Sequence, residues 1–256
     1  MTKRAPSLFI GHGSPMNAIE DTPAARGWAA VARRFDKPRA IVCVSAHWET
    51  GGVRVTANER PRTIHDFGRG FPQALFDVQY PAPGDPALAQ SIAGLIGAQL
   101  DESWGFDHGA WSVLRRMYPD ADVPIVQVGL DHTLTPRAHY DLGRKLAVLR
   151  DDNVAIIGSG NIVHNLPEFF HGDGSVGPWS TRFEAAMAEA ILSGDHAAVL
   201  NYRDQPDAAR AAPDWEHFAP LFYTLGAFAD GEEASLFNQE MMSGISMTCV
   251  AGGLST

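Results

Sequence analysis

Residues 40–46 read AIVCVSA, seven uncharged positions in which Ile41, Val42, Cys43 and Val44 run together, and His47 follows at once. An apolar run of that length suits a strand covered on both faces, as the central strands of a parallel sheet are. Other segments repeat the pattern. Ser7–Ile10 (SLFI) leads into Gly11-His12-Gly13-Ser14-Pro15, while Val123–Gly129 (VPIVQVG) and Val154–Gly158 (VAIIG) read as two further central strands. Val53–Thr56 alternates and is expected at a sheet edge, and Ile245–Val250 reads as one more strand.

Helical patterns separate these runs. Thr22-Pro23, Asp85-Pro86 and Thr135-Pro136 each place an N-cap side chain before a proline at the first helical position. Further helices are expected over Thr181–Leu192 and over Pro220–Phe228, where Phe218, Leu221, Phe222 and Leu225 share a face. Strands alternating with helices predict an α/β fold with a central, largely parallel or mixed sheet flanked by helices. No linker composition interrupts it, so residues 1–256 are expected to form a single domain. The Pro- and Gly-rich stretch 58–86 is long for a connection, and such loops usually cover a site.

The chain has 256 residues, 45% of them hydrophobic, and a formal charge of -10 from 20 Lys+Arg and 30 Asp+Glu. That charge repels nucleic acid and anionic membrane surfaces alike. Two cysteines without CxxC spacing imply no disulfide framework, and no signal-peptide core or membrane span is apparent, so a cytoplasmic protein is expected. The composition leaves a homo-oligomer open. A Walker-type lysine loop, HExxH and the Gly-x-Ser-x-Gly elbow are all absent.

Ten histidines are the distinctive feature. In an open α/β sheet, ligands bind beyond the carboxyl ends of the strands. His12 and His47 directly follow expected strands, and His164 lies in the turn after VAIIG. One such histidine is more often a satisfied polar residue, but three point to a metal site, because neutral imidazole is a ligand of choice for zinc and ferrous iron. A third ligand could be Glu49, two residues beyond His47, or His217, just before the last helix; spacing does not choose. His65 (IHDF) and His108 (FDHGAW) each neighbour an aspartate and aromatics, which suits either a loop anchor or a substrate contact. His132, His139 and His196 are expected at the surface, and His171 less firmly so.

The segments LFIGHGSPMNAIED, AIVCVSAHWET, IHDFGRGFPQALFDVQYPAPG, WGFDHGAWSVLRRMYPDADVPIVQV, GSGNIVHNL and EHFAPLFYTLGA occur in order across nearly the whole chain. Together they resemble the class III extradiol ring-cleavage dioxygenases, most of all the 4,5-DOPA extradiol dioxygenase type. The resemblance implies a mononuclear non-haem Fe(II) site, often found holding zinc instead, and opening of a catechol ring by O2. It implies His12, His47 and His217 as metal ligands, with His164 as acid/base or a fourth ligand, and it puts His108 against the substrate. Two departures stand out: Glu49 is unexpectedly acidic after SAHW, and Arg69 lengthens the loop between HDF and GFP by one.

Elementary chemistry is compatible with that reaction. A catechol does not ionise freely at pH 7, but a divalent cation with a neutral imidazole nearby makes its anion accessible. His164, or failing it His108, could take the proton. Arg69, if it faces the pocket, would suit a catechol bearing a carboxylate. The competing reading on the same ligands is a zinc-dependent hydrolase or amidase.

Overall fold

The AIVCVSA run lies in the middle of an eight-stranded sheet. The structure, a computed structural model, describes residues 4–253. Its strands are β1 (Ser7–Gly11), β2 (Ala40–Thr50), β3 (Arg54–Thr56), β4 (Gln99–Asp101), β5 (Ile125–Asp131), β6 (Val154–Gly160), β7 (Ala234–Phe237), β8 (Met241–Met242), β9 (Ile245–Ser246) and β10 (Cys249–Gly252). The large sheet runs β4-β3-β5-β2-β6-β1-β10-β7, and β8 with β9 forms a separate hairpin-like pair. The four central strands, β5, β2, β6 and β1, are mutually parallel. Antiparallel pairs join them to β3 on one side and to β10 and β7 on the other, which makes the sheet mixed.

Alternation along β2 divides the core. Val42 and Val44 point to the face covered by the helices Pro86–Ile96, Pro136–Leu146, Pro178–Ser193 and Ala219–Gly226. Ile41 and Cys43 point to the opposite face, against the helices Pro23–Ala32 and His108–Met117. The three Pro-initiated helices start where the caps place them, since Thr22, Asp85 and Thr135 accept from the backbone N–H of Ala25, Leu88 and Ala138. A buried Arg150 ties the far end of the sheet together. Its guanidinium donates to the carbonyls of Ala5 and Ala227 and forms a two-pronged pair with Glu232 at 2.5 and 2.7 Å. Among the described residues no helix is long and apolar enough to cross a membrane.

The structure departs from the sequence-based expectations in four places. β2 does not stop at Ala46 but continues to Thr50, so His47 lies within the strand. β3 is not the edge, because β4, whose sequence QLD carries no pattern, pairs outside it. The segment 245–250 splits, with β9 facing β8 and β10 entering the main sheet. His139 is only 1% exposed, wedged between Trp215 and the hydroxyl of Tyr223 at 3.1 Å, because the apolar face of its helix turns it inward.

Burial of His139 disfavours its charged form and lowers its pKa to about 4, with Asp131 opposing. The unfolded chain takes up this proton near pH 6.5 and the folded chain only near 4, so the folded state is disfavoured as pH falls through that window. Replacing His139 with Gln should therefore flatten the pH dependence, with wild type losing about 2 kcal/mol more than the variant between pH 7 and pH 5. Urea denaturation midpoints at the two pH values measure this, and parallel losses in both proteins would contradict it.

Candidate metal centre

Three of the four central strands, β1, β2 and β6, deliver parts of the site at or near their carboxyl ends. His12 follows β1 directly, and its backbone N–H donates to the Gly160 carbonyl at the end of β6. His47 sits where β2 leaves register with β5: between the pairs Val44↔Val128 and Glu49↔Leu130, β2 advances five residues while β5 advances two. Such an irregularity re-aims side chains that strict alternation would fix. His217 immediately precedes the helix Ala219–Gly226, and its carbonyl accepts from the N–H of Asn161 at 2.8 Å. That approach requires Gly160, because a Cβ there would collide with the His217 carbonyl oxygen.

The ring nitrogens are sorted by their partners. Ser159 Oγ donates to the Gly109 carbonyl at 2.6 Å, so it accepts from His12 Nδ1 at 3.0 Å and leaves the Nε2 lone pair of His12 free. His217 Nδ1 lies 3.1 Å from Glu216 Oε1, which frees its Nε2 in the same way. His47 Nδ1 lies 3.6 Å from Asp66 Oδ2, and His47 Nε2 lies 3.1 Å from His12 Nε2. Burial and the neighbouring imidazoles lower the pKa of His12 and His217 well below the usual histidine value. Burial first, then His108, brings His47 to about 3 against the pull of Asp66. These imidazoles are neutral at pH 7, and their ring nitrogens converge on one another.

That arrangement fits a single cation. Three imidazoles on one ion, at about 2.1 Å from nitrogen to metal, hold their ring centroids roughly 5 Å apart. The centroids of His12, His47 and His217 are 5.0, 5.3 and 5.0 Å apart in their three pairs. His164 has a different relation. It stacks on His217 at 3.5 Å with planes 6° apart, and two parallel planes at that spacing share no point at which one ion could lie in both. His108 lies 3.9 Å from His47, also closer than two ligands of one ion stand. By proximity of ligand atoms alone the side chains form two clusters, His12 with His47 and His108, and His217 with His164 and Glu216; ring spacing and orientation suit His12, His47 and His217 to one ion.

Carboxylates hold this cluster from behind. Asp66 accepts from both the backbone N–H and Nδ1 of His108, at 2.8 and 3.0 Å. Burial opposes its ionisation, but the His108 hydrogen bond and the charges of His108 and His47 keep its carboxyl below the ordinary range. Buried Asp107 caps the helix His108–Met117, takes a 2.6 Å hydrogen bond from Ser45 and another from Gln127, and so anchors β2 two residues before His47. Burial, then the charge of Asp66, raises its pKa. Burial, with Asp214 and Glu49 adding, pushes Glu216 up to about 7. Gly109 is the other obligatory glycine, since a Cβ there would stand 2.9 Å from the His47 ring and closer still to Ser45 Oγ.

A cavity of about 910 Å³ opens over the centre, lined by His12, His47, His108, His164 and His217. The loop over residues 58–86 does cover it, through Asp66, Phe67, Gly68, Gly70 and Phe71. Three expected participants lie elsewhere. His65 does not line the cavity: its Nε2 is bound to the Val78 carbonyl at 3.0 Å and its ring packs on Phe67 and Trp111, the place of a loop anchor. Arg69 is exposed and does not line the cavity, because the flanking Phe67 and Phe71 turn inward and leave the loop tip to water. Glu49 is exposed and belongs to neither group able to hold a metal, since the irregularity in β2 breaks the expected alternation with His47. Conversely, Ser159, Glu216, Asp66 and Asp107 are positioning residues that carry no motif of their own; the only signal was an aspartate beside each of His65 and His108, and Asp66 serves His108 across 42 residues.

The family model for the catalytic LigB subunit of aromatic ring-opening dioxygenase matches residues 6–250. The chain is 50% identical over 238 residues to the 4,5-DOPA dioxygenase extradiol of Escherichia coli (strain K12), an alignment covering 90% of this chain and 87% of that one. It is 36% identical over 249 residues to the 4,5-DOPA dioxygenase extradiol of Beta vulgaris, covering 93% and 92%. The crystal structure of an uncharacterized protein from Escherichia coli K12 superposes with a TM-score of 0.83 at 41% identity, over 97% of this chain and 99% of that one.

Asp66 joins the covering loop to the helix that carries His108. Its replacement by Ala should lower stability by about 1–3 kcal/mol, the cost of leaving donors without their acceptor. It should also speed amide hydrogen exchange across residues 62–72. Unchanged exchange in that segment would show that the loop is held by other contacts.

Proposed function

The chain belongs to the family of the catalytic LigB subunit of aromatic ring-opening dioxygenases, and from that membership we propose that it opens a DOPA-like catechol with O2 on one divalent ion held by His12, His47 and His217. The whole chain acts as one catalytic domain, and Fe(II) is the working ion. The observation that carries the assignment is the triangle of imidazole centroids at 5.0, 5.3 and 5.0 Å around freed nitrogen lone pairs. Bound iron supplies a redox-active centre that can hold both reactants, which zinc, with no accessible redox state, does not.

The residues around the ion manage orientation and protons. Ser159 and Glu216 fix the rings of His12 and His217 from Nδ1, so the ligands are set before the metal arrives. His164 is neutral at pH 7, since burial lowers its pKa to about 4 while Asp214 opposes. Its stacking against His217 keeps it beside the centre without competing for it, and a free ring nitrogen there can accept the catechol hydroxyl proton. His108, bound to Asp66 through Nδ1, presents its other face to the cavity and contacts the ring or its anion. Phe67 and Phe71 exclude water from the same space. No observation favours hydrolysis on these ligands, and oxygen uptake separates the two chemistries.

Three variants test these roles. His217→Ala should abolish metal retention and ring opening together; full iron content by elemental analysis would remove His217 from the ligand set. His164→Gln should retain most of the metal yet lose a factor of about 100 or more in turnover, the scale of a general base. Loss of metal in a folded His164→Gln protein would make it a ligand instead. Ser159→Ala should weaken metal affinity about 10–100-fold, the usual effect of releasing a ligand's outer partner, as read by chelator competition.

A further inference from the structure

A catechol ring occupies only part of a cavity of about 910 Å³, so the walls beyond the imidazoles meet whatever arm the ring carries. Two of those walls are apolar: Phe67 and Phe71 from the covering loop, and Phe169 and Phe170 from the helix Leu166–His171. The charged residues that line the cavity, histidines aside, are Glu20, Asp66 and Glu240; no lysine or arginine lines it among the described residues. Asp66 is committed to His108. Glu20 and Glu240 bond to the protein through their backbone carbonyls, to Arg116 and Met247 respectively, and their carboxylates have no partner among the described residues. Arg115 and Arg116 hold their guanidinium groups against the carbonyls of Ala18, Asn17 and Glu20 and do not line the cavity.

We infer that the site selects catechols whose arm ends in a primary ammonium, paired with Glu20 and Glu240, over catechols whose arm ends in a carboxylate. The inference rests on the ring-opening reading above for the position of the catechol. A carboxylate arm would meet two unpaired acids and no cation, whereas an ammonium arm neutralises them. The formal charge of -10 acts in the same direction on approach. An amino acid arm carries both groups and falls between the extremes.

The decisive comparison uses the iron-loaded enzyme with dopamine, 4-methylcatechol and 3,4-dihydroxyphenylpropionate, measured as kcat/KM by oxygen uptake and as Kd by anaerobic calorimetry. Dopamine should exceed the neutral catechol by about tenfold, and the propionate should fall below it by a similar factor, with about threefold from each exposed pair. The Glu20→Gln/Glu240→Gln double variant should reduce the ratio of dopamine to 4-methylcatechol to about twofold, and 1 M NaCl should compress it in wild type. The control is Glu189→Gln/Glu233→Gln, which changes net charge equally at exposed positions outside the cavity. An equal loss of preference in the control, or a wild-type preference for the propionate, overturns the assignment. If no catechol consumes oxygen, the ring-opening reading fails, while the anaerobic Kd ratios still decide whether Glu20 and Glu240 select the ammonium.

Discussion

The architecture depends on one constraint: neutral imidazoles must be buried with one nitrogen of each ring converging on a single point. His12 Nε2 and His47 Nε2 stand 3.1 Å apart, and His217 completes the triangle. A cation shared by the three needs one nitrogen of each ring aimed at it, so every ring must be held in place from its other nitrogen or by its backbone. Ser159, Glu216, Asp66 and the Asp107–Ser45 pair do this. Their placement accounts for the buried carboxylates and for the glycines at 109 and 160.

The sheet makes this holding rigid. β1, β2 and β6 are adjacent and parallel, so their carboxyl ends emerge side by side, and Ser45, Ser159 and Ile10 lie in register across them. His12 and Ser159 therefore meet although 147 residues separate them in sequence. The irregularity in β2 then turns His47 towards the centre, where a regular strand would give it a fixed place in the pleat. Outside the metal centre, the long loop and the helix Leu166–His171 contribute phenyl rings rather than charges, so the cavity combines a polar floor with apolar walls.

The division of labour among the histidines follows from distance and plane. Three have centroids spaced as ligands of one ion are; His164 is coplanar-stacked at 3.5 Å and His108 is crowded against His47 at 3.9 Å. Proximity alone would group all five. Ring orientation separates the three whose spacing suits one ion from the two that only line the cavity beside them.

Much of this was legible in the chain itself. Charge-free runs such as AIVCVSA can be stable only when covered on both faces, and Thr-Pro and Asp-Pro pairs satisfy helix ends locally, so the α/β class and the positions of His12, His47 and His164 near strand ends followed from sequence. Local rules could not place what depends on distant partners. The pairing of β4 outside β3, the burial of His139, the exposure of Glu49 against the burial of His217, and the retreat of His65 and Arg69 from the cavity were decided by tertiary structure. Strand pairing, a register shift between β2 and β5, and hydrogen bonds across 42 to 147 residues fix where a side chain points, and none of these is a property of the residues flanking it.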